Sequence, residues 1–304
     1  MKIDIDKYEQ MPPDEAIARL EKLRDRLLAG PKRAFVDLEE CEKDIIFVGD
    51  LHGDIFSLAR LLKAFPPGPE RILIFLGDYI DRTPDEVEGG ALSLVLVLAD
   101  LTEEHPETVM LRGNHDIGDI MPCSPHEWPT ELRRRLGGKW SQAANRWKEI
   151  AMSLPLVVRT WNGVLAAHGG FPRTLPFGSW NEFEMNDERL MMHTLWADPG
   201  GDDSGRGLPP GTNFSREDLE KVLKDTGCGC FVRGHESTAI GTTLWDRKVL
   251  TIMTAGYYAE RARRSILIAR CQPETRVHSA ADIQVLAFNG TIWEPFRPFA
   301  LPDD

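Results

Sequence analysis

Short apolar runs alternate with helical patterns in the first half of the chain. Three runs are rich in Ile, Val, Leu and Phe: "DIIFVGD" (44–50), "RILIFLGD" (71–78) and "TVMLRGNHD" (108–116). Between them, "IFSLARLLKAF" (55–65) and "GGALSLVLVLADLTEE" (89–104) have helical patterns. Strands that alternate with helices in this way predict βαβ units and a largely parallel sheet.

The second half of the chain predicts hairpins instead. "LVVRTWNGVLAAHGG" (156–170) has two strand patterns around Asn162-Gly163, a dipeptide that favours a tight hairpin turn. "IGTTLWDRKVLTIMTAG" (240–256) and "DIQVLAFNGTIWEPF" (282–296) have the same organisation. We therefore expect a second, more antiparallel sheet that packs on the first.

The remaining segments lie outside this strand pattern. Residues 14–29 have apolar positions at helical spacing, between Pro12-Pro13 and Gly30-Pro31, and predict an amphipathic helix within an N-terminal extension (1–32). Residues 119–150 and 172–215 are rich in Trp, Pro, Gly and charge, and we expect excursions over one rim of the sheets. The second is either a moving lid or a solvated loop. With no repeat or long linker, we expect one domain over 1–304.

Charge and composition narrow the function classes. The chain has 48 acidic and 36 basic residues, a formal charge of −12, so a role that coats nucleic acid is not expected. No apolar run approaches about 20 residues, so no membrane span is expected. The first residues lack the apolar core of a signal peptide. Without export, the five cysteines, an odd number, are expected to be reduced thiols in a cytoplasmic protein.

Polar residues beside glycines follow five apolar runs. Glycine lets the backbone turn sharply and lets a ligand approach closely, and Asp, Asn and His are donors that suit Mn, Fe or Zn. Each motif alone is typical of a turn, a cap or a core histidine. Burying the carboxylates and imidazoles of all five motifs near one another would be costly without cations to pair them, so together the motifs predict a metal site. The motifs are "GDLHGD" (49–54), "GDYIDR" (77–82), "RGNHD" (112–116), "AHGG" (167–170) and "RGH" (233–235).

This order of motifs resembles the calcineurin-like metallophosphoesterases. Three further segments are similar to patterns of the phosphoprotein phosphatase family, which acts on phosphoserine and phosphothreonine. They are "LWADP" (195–199), "GRGLPPGTNFS" (205–215) and "TAGYYAE" (254–260). The resemblance runs from about residue 45 to residue 260 and so covers most of the chain.

The resemblance implies an α/β fold, a four-layer αββα sandwich with two central mixed sheets. It also implies two divalent ions about 3.5–4 Å apart at the carboxyl ends of the strands, with Mn expected first and Fe or Zn as alternatives. Asp50 and His52 would hold the first ion, and alternate residues of an ideal strand do point the same way. The implied roles of the other ligands are a bridge by Asp78 and a second ion held by Asn114, His168 and His235.

The implied reaction is hydrolysis of a phosphomonoester by a hydroxide that bridges the two metals. His115 would be the general acid that protonates the serine or threonine oxygen, and Asp81 would orient its imidazole. Arg82 and Arg206 match the phosphate-binding positions of the family, where guanidinium groups fit phosphate oxygens. Tyr257 matches a tyrosine that overhangs the site.

Departures from the family pattern leave alternatives open. The chain has Asn114-His115-Asp116, where eukaryotic members usually have Glu last, and Thr83 after Asp81-Arg82, where they usually have Gly. Asp116 resembles bacterial relatives, including dinucleoside tetraphosphate hydrolases. The first hypothesis is therefore a phosphoprotein phosphatase, and the alternative hydrolyses a dinucleoside polyphosphate or another small phosphoester.

Three further points stay open. The fold could serve as an inactive module that only binds phosphorylated partners, although all ligand positions are present. Arg112 could point at the site, and Asp198 is either an outer-shell residue or an ordinary turn residue before proline. The sequence indicates phosphoprotein or phosphopeptide substrates and identifies no regulatory subunit.

Overall fold

A computed structural model describes residues 3–84, 90–173, 176–180, 186–200 and 211–301. Its α-helices are α1 (Ile5–Glu9), α2 (Pro13–Ala29), α3 (Ile55–Ala64), α4 (Gly90–Glu104), α5 (Trp128–Leu136), α6 (Trp140–Ala151), α7 (Glu188–Leu195), α8 (Arg216–Thr226) and α9 (Gly256–Arg261). Its strands are β1 (Phe35–Asp37), β2 (Asp44–Val48), β3 (Arg71–Phe75), β4 (Val109–Met110), β5 (Val157–Arg159), β6 (Val164–Ala167), β7 (Cys230–Arg233), β8 (Thr242–Leu244), β9 (Val249–Thr251), β10 (Ile266–Cys271), β11 (Gln284–Phe288), β12 (Trp293–Pro295) and β13 (Phe299–Ala300).

The strands form two mixed sheets. A six-stranded sheet has the order β12-β11-β10-β2-β3-β4, in which β2, β3 and β4 are parallel and the other pairs are antiparallel. A seven-stranded sheet has the order β1-β5-β6-β7-β9-β8-β13, in which only β5–β6 and β8–β9 pair antiparallel. The expected contrast between a largely parallel sheet and a more antiparallel one is therefore wrong, because the β11–β12 hairpin joins the first sheet through β10.

The two sheets pack face to face, and helices cover the outer faces. Along β2, Ile45 and Phe47 belong to the apolar layer between the sheets, whereas Ile46 and Val48 pack with the helices. The same alternation holds in β6, where Val164 faces the inner layer. Strands buried on both faces are continuously apolar. The predicted four-layer αββα arrangement is confirmed.

Helix α4 is buried nearly all round, which explains its apolar sequence. Helix α2 follows the predicted bounds within one residue and buries Ala16, Ile17, Leu20 and Leu23. The short helix α1 was not predicted, and its Tyr8 hydroxyl donates to Asp100 at 2.9 Å. No helix in the described ranges is both long and apolar enough to cross a bilayer.

Residues 119–150 differ from the expected rim excursion. Most of this segment forms α5 and α6, which bury Trp128, Leu132 and Trp147 in the same apolar cluster as α2 and α4. Only the connection before α5 lies over the edge of the sheets, where the site is found. Of the segment 172–215, the structure describes α7 and its flanking turns, while residues 174–175, 181–185 and 201–210 lie outside the described ranges.

Candidate metal centre

The two sheets meet where β2 ends. Asp50 forms an isolated parallel bridge with Met253, the second residue after β9 of the other sheet. The backbone carbonyl of Asp50 accepts hydrogen bonds from Thr254 and Ala255, and Gly49 N–H donates to the Thr254 hydroxyl at 3.0 Å. Strand ends of both sheets therefore open onto one edge, as expected for a site in an open α/β sheet.

Backbone turns aim the polar side chains into this edge. Five residues with side chains have positive φ here: His52 (45°), Asp78 (55°), Asp81 (62°), Arg82 (53°) and His235 (69°). This conformation costs roughly 1–2 kcal/mol for each residue with a Cβ, so the surrounding contacts must hold it in place. The structure also corrects the strand argument for Asp50 and His52, because β2 ends at Val48 and His52 lies in a turn.

Two glycines let neighbouring strand ends approach each other closely. A Cβ on Gly77 would lie 2.3 Å from the Gly113 nitrogen, and a Cβ on Gly113 would lie 2.2 Å from Asp78 Oδ1. The backbone N–H of His115 donates to that same oxygen at 2.9 Å. The Asp78 carboxylate therefore occupies space that only a glycine at 113 leaves free.

Asp78 stands at the centre of two groups of donors. On one side, His52 Nε2 lies 3.4 Å from Asp78 Oδ2 and 3.9 Å from Asp50 Oδ2. On the other side, His168 Nε2 lies 3.5 Å from the same Asp78 oxygen and 2.9 Å from Asn114 Oδ1. All these side chains are buried.

His235 completes the second group. Its Nδ1 lies 3.1 Å from Asn114 Oδ1 and 3.2 Å from His168 Nε2. The six residues predicted as metal ligands thus converge into one cluster with Asp78 between its two halves. Five of them are buried, namely Asp50, His52, Asp78, Asn114 and His168, and His235 is partly exposed.

The donor chemistry of the cluster fits divalent cations. His52 Nδ1 lies 2.9 Å from the Ile80 carbonyl and His168 Nδ1 lies 3.0 Å from the Leu76 carbonyl, so each Nδ1 donates its proton. Each Nε2 then carries a lone pair aimed at carboxylate and amide oxygens, which are also acceptors. Metal-binding histidines are commonly fixed in this way through their second nitrogen. A cation between these acceptors converts repulsion into binding.

Burial shifts the protonation of these groups in a consistent sense. It lowers the pKa of His52 and of His168 well below the ordinary value, which favours neutral imidazoles. It raises the pKa of Asp50 to about 6 and raises that of Asp78. Carboxylates that resist ionisation in a buried site bind their counterions strongly when a divalent ion is supplied.

His115 and Asp81 form a pair beside this cluster. His115 Nδ1 lies 2.9 Å from Asp81 Oδ2. Burial lowers the pKa of His115, but the charge of Asp78 and the hydrogen bond to Asp81 outweigh it and raise the pKa to about 10. These interactions favour the cationic form of the imidazole.

The Asp81 carboxylate is fixed on all sides. Its Oδ1 accepts from the backbone N–H groups of Glu127 and Trp128, both at 2.8 Å, and its Oδ2 lies 3.0 Å from His126 Nδ1. Although burial raises the pKa of Asp81, its hydrogen bonds with the two histidines lower it below the usual range. Sequence patterns gave no signal for His126, because only the folded 119–127 connection places it there.

A cavity of about 600 Å³ opens beside the cluster and is lined by Arg82, Glu127, Tyr257 and Tyr258, among others. Tyr258 is the nearer of the two tyrosines, with its ring centroid 5.2 Å from that of His52 and the Arg82 guanidinium 5.4 Å from its centre. Tyr257 is 44% exposed, and its hydroxyl lies 3.4 Å from Arg261 Nη1. Sequence reasoning selected Tyr257 and missed Tyr258.

Other polar residues have structural partners. Arg112 is fully buried and donates to the carbonyls of Met152 and Leu154, so the expectation that it could point at the site is wrong. Asp198 is buried against Arg233 at 2.7 Å, which agrees with an outer-shell position and not with an ordinary surface turn. Arg206 lies outside the described residues.

Asp116 has a structural role that the sequence did not indicate. Its carboxylate accepts from the backbone N–H groups of Asp78, Tyr79 and Gly113 at 2.7–2.9 Å, and it is buried. These bonds tie the turn after β3 to the turn after β4. Asp116 does not line the described cavity.

A sequence model described as calcineurin-like phosphoesterase matches residues 43–238, and this chain belongs to that family of enzymes. Among curated relatives, it is 25% identical over 239 residues to a serine/threonine-protein phosphatase of Caenorhabditis elegans, covering 76% of this chain and 51% of that protein. It is 28% identical over 264 residues to a PP2A-like serine/threonine-protein phosphatase of Candida albicans, covering 83% and 60%.

Solved structures share the fold. One titled as a protein serine/threonine phosphatase from Saccharomyces cerevisiae gives a TM-score of 0.75 at 20% identity and covers 95% of this chain and 93% of its own. Another, a cold-active protein-tyrosine phosphatase from a Shewanella species, gives 0.54 at 16% identity and covers 88% and 83%. The chain spans only about half to three-fifths of the curated relatives above, so their activities bear on it as a proposal.

Proposed function

We propose that this chain is a metal-dependent phosphomonoesterase that hydrolyses phosphoserine and phosphothreonine in proteins, as a single domain over residues 1–304. The observation that carries the proposal is the pair of donor groups on either side of Asp78, next to a histidine that a buried carboxylate holds as a cation. The names of the curated relatives agree with it.

The proposed ligands divide into two halves that share Asp78. Asp50 and His52 hold one divalent ion, and Asn114, His168 and His235 hold the other. The oxygen and nitrogen donors suit Mn, which we propose first, and also Fe or Zn. When bound, such ions supply positive charge that binds phosphate oxygens and makes a water molecule acidic enough to attack.

His115 supplies the proton in this proposal. A serine or threonine alkoxide is a poor leaving group, so a positioned imidazolium that protonates it lowers the barrier. The Asp81 carboxylate keeps the proton on Nδ1 and turns the ring, which leaves Nε2 to act as the acid. Asp81 is held by two backbone N–H groups, so it does not have to reorganise during the reaction.

Arg82 orients the phosphate at the mouth of the site. Its guanidinium donates to the Ser124 carbonyl at 3.1 Å and lies against Tyr258, so its position is fixed before substrate arrives. Arg206 remains the second proposed phosphate ligand on sequence grounds, and Tyr257 remains a proposed contact for the protein substrate. Tyr258 closes the cavity on the side of His52.

Asp116 is one of the sequence departures behind the alternative, hydrolysis of a dinucleoside polyphosphate. Because Asp116 is satisfied by three backbone N–H groups and does not line the cavity, it has no contact through which to select a substrate.

The five cysteines are all free thiols, which agrees with the proposed cytoplasmic location.

The test is phosphate release from matched peptides carrying phosphoserine, phosphothreonine or phosphotyrosine, compared with nucleotide release from diadenosine tetraphosphate. The protein is stripped with chelator and reloaded with Mn²⁺, Fe²⁺ or Zn²⁺. We expect activity only after reloading, with the phosphoserine and phosphothreonine peptides preferred.

Two variants control this test. His115→Gln should lose most turnover on the peptides, whereas His278→Gln, which changes an exposed histidine, should not. A strong preference for the dinucleotide would replace the protein phosphatase by the alternative. Activity that persists in chelator would contradict both.

A further inference from the structure

A second group of metal-binding side chains lies outside the cluster around Asp78. Asp81, Cys123 and His126 each offer a ligand atom, and all of these atoms lie within 4.8 Å of one another. His126 Nδ1 is 3.0 Å and Cys123 Sγ is 3.9 Å from Asp81 Oδ2. Ligands at 2.0–2.3 Å from a tetrahedral ion are roughly 3.3–3.8 Å apart, so the three atoms are close to a coordinating arrangement.

The backbone leaves room for this group. A Cβ on Gly118 would lie 2.6 Å from His126 Nδ1 and 3.0 Å from Cys123 Sγ, so both side chains pack directly on that residue. The His126 side chain is 19% exposed, and Cys123 is also partly exposed, so an ion can reach them from solvent. Asp78 and the two histidines on either side of it, His52 and His168, are in contrast buried.

Hydrogen bonds hold this group together. His126 donates toward Asp81 and Asp119, both at 3.0 Å, which accounts for its orientation. The Cys123 thiol lies 3.9 Å from Asp81 Oδ2 and 3.4 Å from His115 Nδ1. Burial raises the pKa of Cys123, but its contacts with the two histidines lower it below the ordinary value. A thiolate is the form that binds metal.

We propose that Asp81, Cys123 and His126 form a third metal site that takes a thiophilic divalent cation such as zinc. One carboxylate, one imidazole and one thiolate are a donor set that zinc accepts, with a fourth position left for solvent. The ion replaces the proton on His126 Nδ1 and the proton of the Cys123 thiol, and both protons are released to solvent. The site differs in kind from the cluster around Asp78, whose donors are carboxylates, imidazoles and an amide.

The site has a consequence that rests on the proposed function. The Asp81 oxygen it would use is the one that orients His115. A cation bound there takes up that oxygen's lone pairs and repels the imidazolium next to it. Zinc at this site therefore inhibits phosphoester hydrolysis while the two ions at Asp78 stay in place.

Cobalt provides a test of binding that needs no enzyme activity. Co²⁺ bound to a thiolate gives a charge-transfer band in the near ultraviolet, which oxygen and nitrogen ligands alone do not give. In the Mn-loaded protein we expect this band to appear on titration with Co²⁺ and to be lost in Cys123→Ser. Cys41→Ser, which alters another partly exposed thiol, should keep it. Absence of the band from the unmodified protein, or its persistence in Cys123→Ser, would overturn the proposal.

Zinc inhibition tests the consequence. In the Mn-loaded protein, Cys123→Ser should raise the zinc concentration for half-inhibition by at least roughly tenfold, because even an outer-shell change costs 10–100-fold in metal affinity. Each variant is compared with its own rate without zinc. Equal zinc sensitivity in Cys123→Ser would refute inhibition through this site. If the protein hydrolyses no phosphoester at all, the proposed function fails, and the cobalt band still decides the site.

Discussion

Two pairs of histidines, one on the floor of the site and one at its rim, present the same ring nitrogen, Nδ1, to different acceptors. On the floor, His52 and His168 donate Nδ1–H to backbone carbonyls, and burial keeps both rings neutral. At the rim, His115 and His126 direct Nδ1 at the Asp81 carboxylate, and both rings are held as cations. For His52, His168 and His115, the partner of Nδ1 helps to set the charge of the ring. A neutral carbonyl leaves a neutral ring that suits metal binding, and a carboxylate favours an imidazolium that can donate a proton.

The floor should show the largest effect. Asp78→Asn removes the charge shared by both halves of the cluster, so we expect turnover to fall to background and bound Mn²⁺ to fall below two ions per chain. Metal analysis and phosphopeptide hydrolysis measure both. Asp225→Asn, an exposed carboxylate on α8, is the matched control. Full activity and full metal content in Asp78→Asn would show that the floor is not a metal centre.

The rim should show the next largest effect, and it should depend on the leaving group. His115→Gln should lower kcat on a phosphoserine peptide by roughly 10²–10⁴-fold, the usual contribution of a general acid. With p-nitrophenyl phosphate, whose leaving group needs no proton, the loss should be much smaller. An equal loss on both substrates would mean that His115 positions the site and does not protonate the leaving oxygen.

Tyr258 lies on the inner wall of the cavity, and Tyr257 lies at its exposed outer edge. Tyr258→Phe removes a hydroxyl next to Arg82 and should lower kcat/KM by about fivefold, the equivalent of about 1 kcal/mol for one hydrogen bond. Tyr257→Phe, at the exposed edge, should change it less. A larger loss of kcat/KM in Tyr257→Phe than in Tyr258→Phe would instead favour Tyr257, which the sequence comparison selects, as the residue that contacts the substrate.

The smallest expected effect is on the free energy of unfolding, and it depends on pH. The hydrogen bond between His126 and Asp81 raises the pKa of His126 to about 11, above the ordinary 6.5. A raised pKa stabilises the folded state below about pH 6.5, and this stabilisation is lost as pH rises through 11. In metal-free protein, His126→Gln should cost about 1 kcal/mol at pH 6 and less at pH 10. Thermal unfolding at both values measures this, and an equal cost at each pH would contradict it.

The sequence predicted which side chains meet on the floor of the site, because these side chains follow strand ends. Runs such as "RILIFLGD" identify both the buried strand and the polar residue that follows it, and parallel neighbours bring those residues to one edge. Only the local reason was wrong: His52 reaches Asp50 through a left-handed turn, which periodicity does not encode. The placement of β11 and β12 in the first sheet also escaped prediction, because a hairpin pattern does not state which edge it joins.

The rim could not be predicted in the same way. Cys123 and His126 lie in an irregular connection between the turn after β4 and helix α5, and their approach to Asp81 depends on the fold of that connection. No spacing rule relates position 81 to positions 123 and 126. Adjacent tyrosines at 257 and 258 are likewise indistinguishable in sequence, and only the start of α9 decides which one turns inward.

The absence of a side chain at residue 113 has a consequence for how this molecule can change. Any larger residue there would compete with Asp78 for one volume, since the added carbon would lie 2.2 Å from its carboxylate oxygen. A substitution of Gly113, after β4, would therefore displace a carboxylate that belongs to the turn after β3. Replacing this glycine to make the chain more rigid would move Asp78, the carboxylate that both halves of the cluster share.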